Sequence, residues 1–299
     1  MPERDLPERA SAGVSLKGLL RRLPGLALLM LASSAQAQPA LQVRVGGDPH
    51  YPPHHYIDVD GQARGFDMAV LRAVAGSESL VLSFEFGEWG GVLDRLERGE
   101  LDVVPMFVSV DRRERFRFSR PFMRRHHLLF STNGEWIDDP AQLAGRRVAV
   151  QFGGMAWEWL INEDVHAVLH PVNEESLVLV EVLRGDADFA LLPADIGSHT
   201  IATQGLHGID VASPPWLERD YAFGVNPARP ELVARLDAGL AKLDGSGELA
   251  ALGQEWLEPQ EKPASRSWSP WWLLPAVPVG LAGLVYLVAG RRARMRKPR

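Results

Sequence analysis

The sequence predicts an α/β protein of two similar lobes with a cleft between them, and three observations carry that expectation. A short unit occurs twice: Leu93 to Asp102 with Val103 to Pro105, and Val180 to Asp188 with Phe189 to Pro193. Each copy reads as a helix closed by a left-handed glycine (Gly99, Gly185), then an aspartate (Asp102, Asp188), then an apolar strand, because glycine adopts that cap without a Cβ penalty. Strand and helix alternate around both copies, which is the pattern of parallel sheet. Finally, 299 residues at 46% apolar and 23% charged suffice for two domains of ordinary size. Ligands favour such interfaces and the carboxyl ends of strands, so function is sought in the cleft.

In chain order, Lys17, Arg21 and Arg22 precede the apolar run Leu23 to Ala32 and the small-x-small triplet Ala35-Gln36-Ala37. That combination predicts a signal peptide over 1–37, since ten apolar residues are too few to span hydrocarbon. Leu41 to Gly46 alternates as a strand and enters Gly47 to Pro53, where prolines and glycines forbid regular structure. Phe66 to Ala75 places Met68, Leu71 and Ala75 on one helical face with Gly76 as terminator, and Val81 to Phe86 reads as the second strand. Asp138-Asp139-Pro140 is a helix start, and Arg146 to Phe152 a fresh strand leading to Gly153-Gly154. Strand Val168 to Val172, helix Glu174 to Leu183 and strand Phe189 to Leu192 continue the alternation, with the lobe ending near Asp220. Tyr221 to Val225 is a strand. Pro230 opens an amphipathic helix with Leu232, Val233, Leu236, Leu240 and Leu243 on one face, and a last helix ends near Trp256.

The polar, proline-containing stretch 259–270 reads as a linker. Residues 271–290 carry no charge, would reach roughly 30 Å as a helix, and begin at Trp271 and Trp272, so a transmembrane helix is expected there. The tail 291–299 holds six basic residues and no acid, which places it in the cytoplasm and the folded part outside the inner membrane. Between 38 and 290 there are 21 basic against 35 acidic residues, a net of −14, which argues against nucleic acid and anionic lipid as partners. The chain has no cysteine, which excludes disulfides, thiolate metal sites, a cysteine nucleophile and a lipidated N-terminal cysteine.

Taken together, Gly47-Asp48 with Tyr51-Pro52-Pro53, Gly61 to Asp67, Trp89 with Leu93 to Asp102, Ser109 to Arg112, Phe118 to Phe122, Leu143 to Val150 and the second repeat unit resemble family 3 of the bacterial extracellular solute-binding proteins. The resemblance runs from about Leu41 to Leu257. It implies a two-lobed, periplasmic-binding-protein-like fold with lobe 1 at 38–131 and 221–258, lobe 2 at 132–220, and two hinge crossings, near 131–133 and 220–223. Closure over a ligand would be a hinge motion.

The same resemblance implies the site. Arg112, one of seven arginines between Arg112 and Arg125, falls where the family holds a ligand carboxylate, and a planar guanidinium fork suits that group. Tyr51 and Trp89 fall at the flanking aromatic positions, with Asp48, Phe107, Ser109, Gly153 and Met155 completing the expected ligand-binding set. Read alone, the aromatics are core and Asp48 a turn former. Where the family presents hydroxyls this chain has Pro105, Phe107, Gly154 and Met155. The family's ammonium-binding acid falls on Pro193, with Asp195 displaced. A carboxylate or a larger, more apolar solute therefore fits better than a standard α-amino acid.

No catalytic residue, cofactor or metal ligand is assigned. His50, His54, His55, His126 and His127 could converge with Asp48 on a metal, but their spacing matches no recognised site. A periplasmic dehydratase is an enzymatic alternative on the same fold. Within binding, the terminal helix resembles that of sensory receptors with a histidine kinase or cyclase partner, and the alternative is a capture protein for a transporter permease.

Overall fold

The computed structural model describes residues 40–258. The expected signal peptide, linker, transmembrane helix and basic tail lie outside these residues. The strands are β1 (Leu41–Val45), β2 (His50–Tyr51), β3 (His55–Ile57), β4 (Ala63–Arg64), β5 (Leu80–Phe84), β6 (Val103–Phe107), β7 (Arg117–Phe118), β8 (Met123–Ser131), β9 (Arg147–Gln151), β10 (Val168–Val172), β11 (Phe189–Pro193), β12 (Asp210–Val211) and β13 (Trp216–Val225). The helices are α1 (Phe66–Glu78), α2 (Trp89–Glu97), α3 (Val110–Arg115), α4 (Met155–Asn162), α5 (Val178–Arg184), α6 (Ala194–Gln204), α7 (Pro230–Ser246) and α8 (Glu248–Leu257).

Both repeat units take the expected form, with Gly99 at φ 74° and Gly185 at φ 78°. Each is also clasped in the same way. Arg44 donates to the Gly99 carbonyl (2.7 Å) and through its main-chain N–H to Asp102 (2.8 Å). Arg147 donates to the Gly185 carbonyl (2.9 Å) and through its N–H to Asp188 (2.9 Å). Each aspartate thus ties the foot of its own strand to the neighbouring parallel strand.

The lobes are not separate sheets. One hydrogen-bonded path runs β10-β9-β11-β8-β13-β6-β1-β5, parallel within each lobe and antiparallel where β8 and β13 join them. The connecting segments are themselves extended, so their backbone groups pair rather than remain bare. Met123 to His127 of β8 faces Trp216 to Tyr221 of β13, with a register shift between Trp216 and Arg219. Beyond that pairing, β8 joins β11 and β13 joins β6.

Other differences have local causes. Helix α1 runs through Gly76 and ends at Ser79 in the left-handed region, because an added Cβ at Gly76 meets open space and nothing there requires a turn. His50–Tyr51, inside the segment expected to be irregular, pairs with β3, which also pairs with β4 in a small separate sheet. Asp139-Pro140 caps a single 3₁₀ turn, Pro140–Leu143, rather than an α-helix. Lobe 1 buries Leu232, Leu236, Leu240 and Leu243 of α7 with Met68, Leu71 and Val74 of α1. Lobe 2 has two clusters, around Leu129, Val148 and Phe189 on one face of its sheet and Phe130, Leu179 and Leu192 on the other. Each fully buried leucine of this kind stabilises by about 1.5–3 kcal/mol.

Candidate functional site

The carboxyl ends of β6, β9 and β11 and the β2–β3 hairpin meet at a narrow space between the lobes. Its wall includes Trp89, Phe107 and Arg112 from lobe 1, and Gln151, Met155 and Glu175 from lobe 2.

Local sequence places each group. Ser109 caps α3 by accepting the Arg112 N–H at 3.2 Å, which fixes the helix start and sends Arg112 inward to 1% exposure. The guanidinium lies 5.5 Å from the Trp89 ring and donates to the carbonyls of Phe107 and Gly153, both at 3.3 Å. Its Nε and a terminal nitrogen share one oxygen of Glu158 across the cleft, at 2.9 and 2.8 Å. Gly153, at φ 67°, turns the chain from β9 into α4 and also accepts Trp89 Nε1–H at 2.9 Å. Asp48 accepts the His50 N–H at 2.8 Å and Gln151 Nε2–H at 2.6 Å, so it is both turn former and inter-lobe contact.

Tyr51, Trp89, Phe107, Arg112 and Met155 line the space directly. Asp48, Ser109 and Gly153 stand behind, bonded to lining residues or to Glu158. Pro105, Gly154 and Pro193 also line it, so the wall is apolar where the resemblance leads one to expect hydroxyls and an acid.

A second charged group lies beside the first. Arg125, 3% exposed, is surrounded by the rings of Tyr51, Phe107 and Tyr221 at 5.5, 4.8 and 4.7 Å. It donates twice to Asp195, at 2.8 and 2.6 Å, and once to the Tyr51 hydroxyl at 3.3 Å. His54 Nε2 joins the same carboxylate at 2.7 Å and its Nδ1 faces Asp67 at 3.2 Å. Burial and Arg125 oppose charge on His54, but Asp195 and Asp67 outweigh them and raise its pKa, and the ring bridges the lobes with a carboxylate at each nitrogen. Asp195 is held well below the usual carboxylate range, against its burial, by Arg125 and His54. The displaced acid is therefore already neutralised by the protein.

Asp67, in the first turn of α1, receives His54, His55 at 2.8 Å and the Tyr221 hydroxyl at 2.9 Å. His55 turned this way leaves Nε2 buried without a partner, and His127 leaves Nδ1 likewise. Burial and Arg125 push His127 down to about 3, so it is neutral. Glu175, 4% exposed, opens the 3₁₀ turn after β10. Burial and Asp48 raise its pKa to about 8. The five histidines do not form a cluster: no three acidic or imidazole groups among the described residues are spaced to share a metal ion.

Sequence reasoning misses Arg125, Gln151, Glu158 and Glu175. Two signals are present. Glu158 shares a helical face with Met155 at spacing i, i+3, and Glu175 follows a parallel strand at its carboxyl end. Arg125 gives none, as one of a run of arginines.

Known proteins share this architecture. A family model for the bacterial extracellular solute-binding proteins, family 3, matches residues 43–259. The amino-acid-binding protein AabA of Dichelobacter nodosus is 26% identical over 217 residues, covering 70% of this chain and 85% of its own. The probable ABC transporter arginine-binding protein ArtJ of Chlamydia trachomatis is 25% identical over 219 residues, covering 71% and 84%. A crystallised histidine kinase sensor domain with similarity to periplasmic binding proteins superposes with TM-score 0.69 at 26% identity, covering 73% of this chain and 96% of that one. With most of its length matched in order, two lobes and a cleft at the strand ends, the chain belongs to family 3 of the bacterial extracellular solute-binding proteins.

Proposed function

We propose that the protein is a non-enzymatic module, tethered to the outer face of the inner membrane, that closes on a small carboxylate-bearing solute and passes its closure inward as a signal. The observation that carries the ligand class is the buried Arg112 fork with a carboxylate oxygen, that of Glu158, seated in it from the opposite lobe. A solute carboxylate has the same shape and charge and would take this place as Glu158 withdraws. Trp89 and Tyr51 supply flat apolar contact beside it.

A thermal-shift series of the full chain in detergent, with small mono- and dicarboxylates and amino acids, tests this. A solute at 100 times its dissociation constant adds about 2.7 kcal/mol, or about 5–10 °C at this size. Arg112→Ala should abolish the gain, and an undiminished gain removes Arg112 from the site.

Sensing draws support from the likeness to a kinase sensor domain and from the expected transmembrane helix. The likeness to a protein named as a probable ABC transporter arginine-binding protein favours a second reading, capture for a permease. Co-purification from membranes with a histidine kinase or cyclase supports the first, and co-purification with a permease alone supports the second.

A further inference from the structure

Glu158 fills the Arg112 fork incompletely. The edge of a guanidinium formed by Nε and one terminal nitrogen suits two carboxylate oxygens, one on each N–H. Here both nitrogens lie against a single oxygen of Glu158, at 2.9 and 2.8 Å, and the second oxygen has only the Ser109 hydroxyl at 3.4 Å. The two partners are also held unequally. Arg112, its side chain 2% exposed, is fixed by the carbonyls of Phe107 and Gly153 and by the Trp89 ring. The Glu158 side chain is 19% exposed, and among the described residues its hydrogen bonds come from the opposite lobe alone. It can turn out to water by rotation of its own side chain while Arg112 stays in place. One helical turn on, Asn162 donates to Asp111 of α3 at 2.7 Å, so α4 remains tied to α3 whether or not Glu158 is seated.

We propose that Glu158 is a built-in competitor of the solute, a placeholder in the Arg112 fork whose displacement decides which solutes enter. The competition rests on the reading above; the placeholder itself does not. A solute carboxylate set on both N–H groups gains the second bond that Glu158 does not make. A neutral amide or hydroxyl of similar shape cannot match a charged acceptor and is turned away. Two carboxylates at one buried guanidinium repel each other, so entry of the solute's expels that of Glu158. Held close by α4, the displaced side chain keeps a high local concentration and returns as the solute leaves, which sets a threshold for occupancy. Each entry thus exchanges a lobe-to-lobe ion pair for a lobe-to-solute one.

The experiment removes the placeholder and supplies it again as a free molecule. Glu158→Ala deletes a methylene and a carboxylate, the atoms of acetate, beside an intact Arg112. The full chain in detergent is melted across a titration of sodium acetate to about 100 mM, with sodium chloride and acetamide as controls. At about ten times its dissociation constant, acetate should raise the melting temperature of Glu158→Ala by about 3–6 °C over chloride. The unaltered chain and the double variant Arg112→Ala with Glu158→Ala should stay within about 1 °C of chloride. Glu158→Gln, which keeps the shape and loses the charge, should bind any carboxylate that stabilises the unaltered chain about tenfold more tightly. Far-ultraviolet circular dichroism checks that the variants fold, and Glu158→Gln carries the test if Glu158→Ala does not. An acetate gain no larger than that of acetamide, or equal in the unaltered chain, refutes the placeholder, as does a carboxylate that Glu158→Gln binds no more tightly. If acetate fails in Glu158→Ala while a carboxylate still stabilises the unaltered chain through Arg112, the placeholder falls and the cleft reading stands. If acetate succeeds and no solute carboxylate stabilises even Glu158→Gln, the placeholder stands and the solute class is wrong.

Discussion

Replacing Asp195 by Asn should weaken the join between the lobes, and the size of the effect follows from what the carboxylate holds. It accepts Arg125 twice and His54 once. An amide of equal shape retains one acceptor and turns a donor toward the other partners. Arg125 then keeps its charge at 3% exposure without a counter-charge. Breaking a buried pair from one side costs about 3–5 kcal/mol. The Asp195 side chain is itself 30% exposed, so water replaces part of what is lost and about 3 kcal/mol is the appropriate figure. At about 2–4 °C per kcal/mol for a folded unit of this size, melting should fall by about 6–12 °C. Tryptophan fluorescence of the full chain in detergent reads this directly, and far-ultraviolet circular dichroism at 20 °C checks that the variant folds. Removing both charges, as Arg125→Met with Asp195→Leu, should recover part of the loss, since Arg125 is then no longer stranded while His54 Nε2 still loses its acceptor. An Asp195→Asn variant melting within about 2 °C of the unaltered chain would refute the reasoning.

Two further outcomes are expected. Gly65→Ala sets a Cβ at φ 105° and drives it into the His54 carbonyl oxygen, so it should cost more than about 4 kcal/mol or prevent folding; a melting point within a few degrees of the original would contradict this. The two buried titrating groups act in opposite senses. Glu175 holds its proton to about 8 when folded but only to its ordinary 4.5 when unfolded, so its contribution falls as pH rises across that window. The stability advantage of Glu175→Gln should grow from pH 4.5 to 8 and then level, at roughly 5 kcal/mol. His127 stays neutral to about 3 against its ordinary 6.5, so it destabilises as pH falls from 6.5 to 3, and His127→Gln should blunt that loss. Urea midpoints across pH check both, and parallel curves for variant and original would count against the assignment.

The repeat units were legible because their glycines and aspartates have backbone duties that reach only a few residues. The amphipathic α7 was legible because its leucines recur with the helical period. Arg112, Tyr51, Trp89, Phe107 and Met155 came from the resemblance, which specifies positions but not partners; Glu158, opposite Arg112, could not be paired without the fold. Strand β8 escaped because its alternation is masked by polar residues on its buried side: Arg125 and His127 share that side with Leu129. The burial of Arg125 is offset by Asp195, seventy residues on, a partnership that no local pattern encodes.

The twin arginine clasps have a consequence for how this molecule could change. Each grips a strand at its foot, five residues and roughly 16 Å from the tip that faces the solute. Fold security and chemical choice thus reside at opposite ends of the same strands. A lineage, or an engineer, could redraw the tips at Phe107 and Pro193 for new guests while the anchoring corners carry on undisturbed.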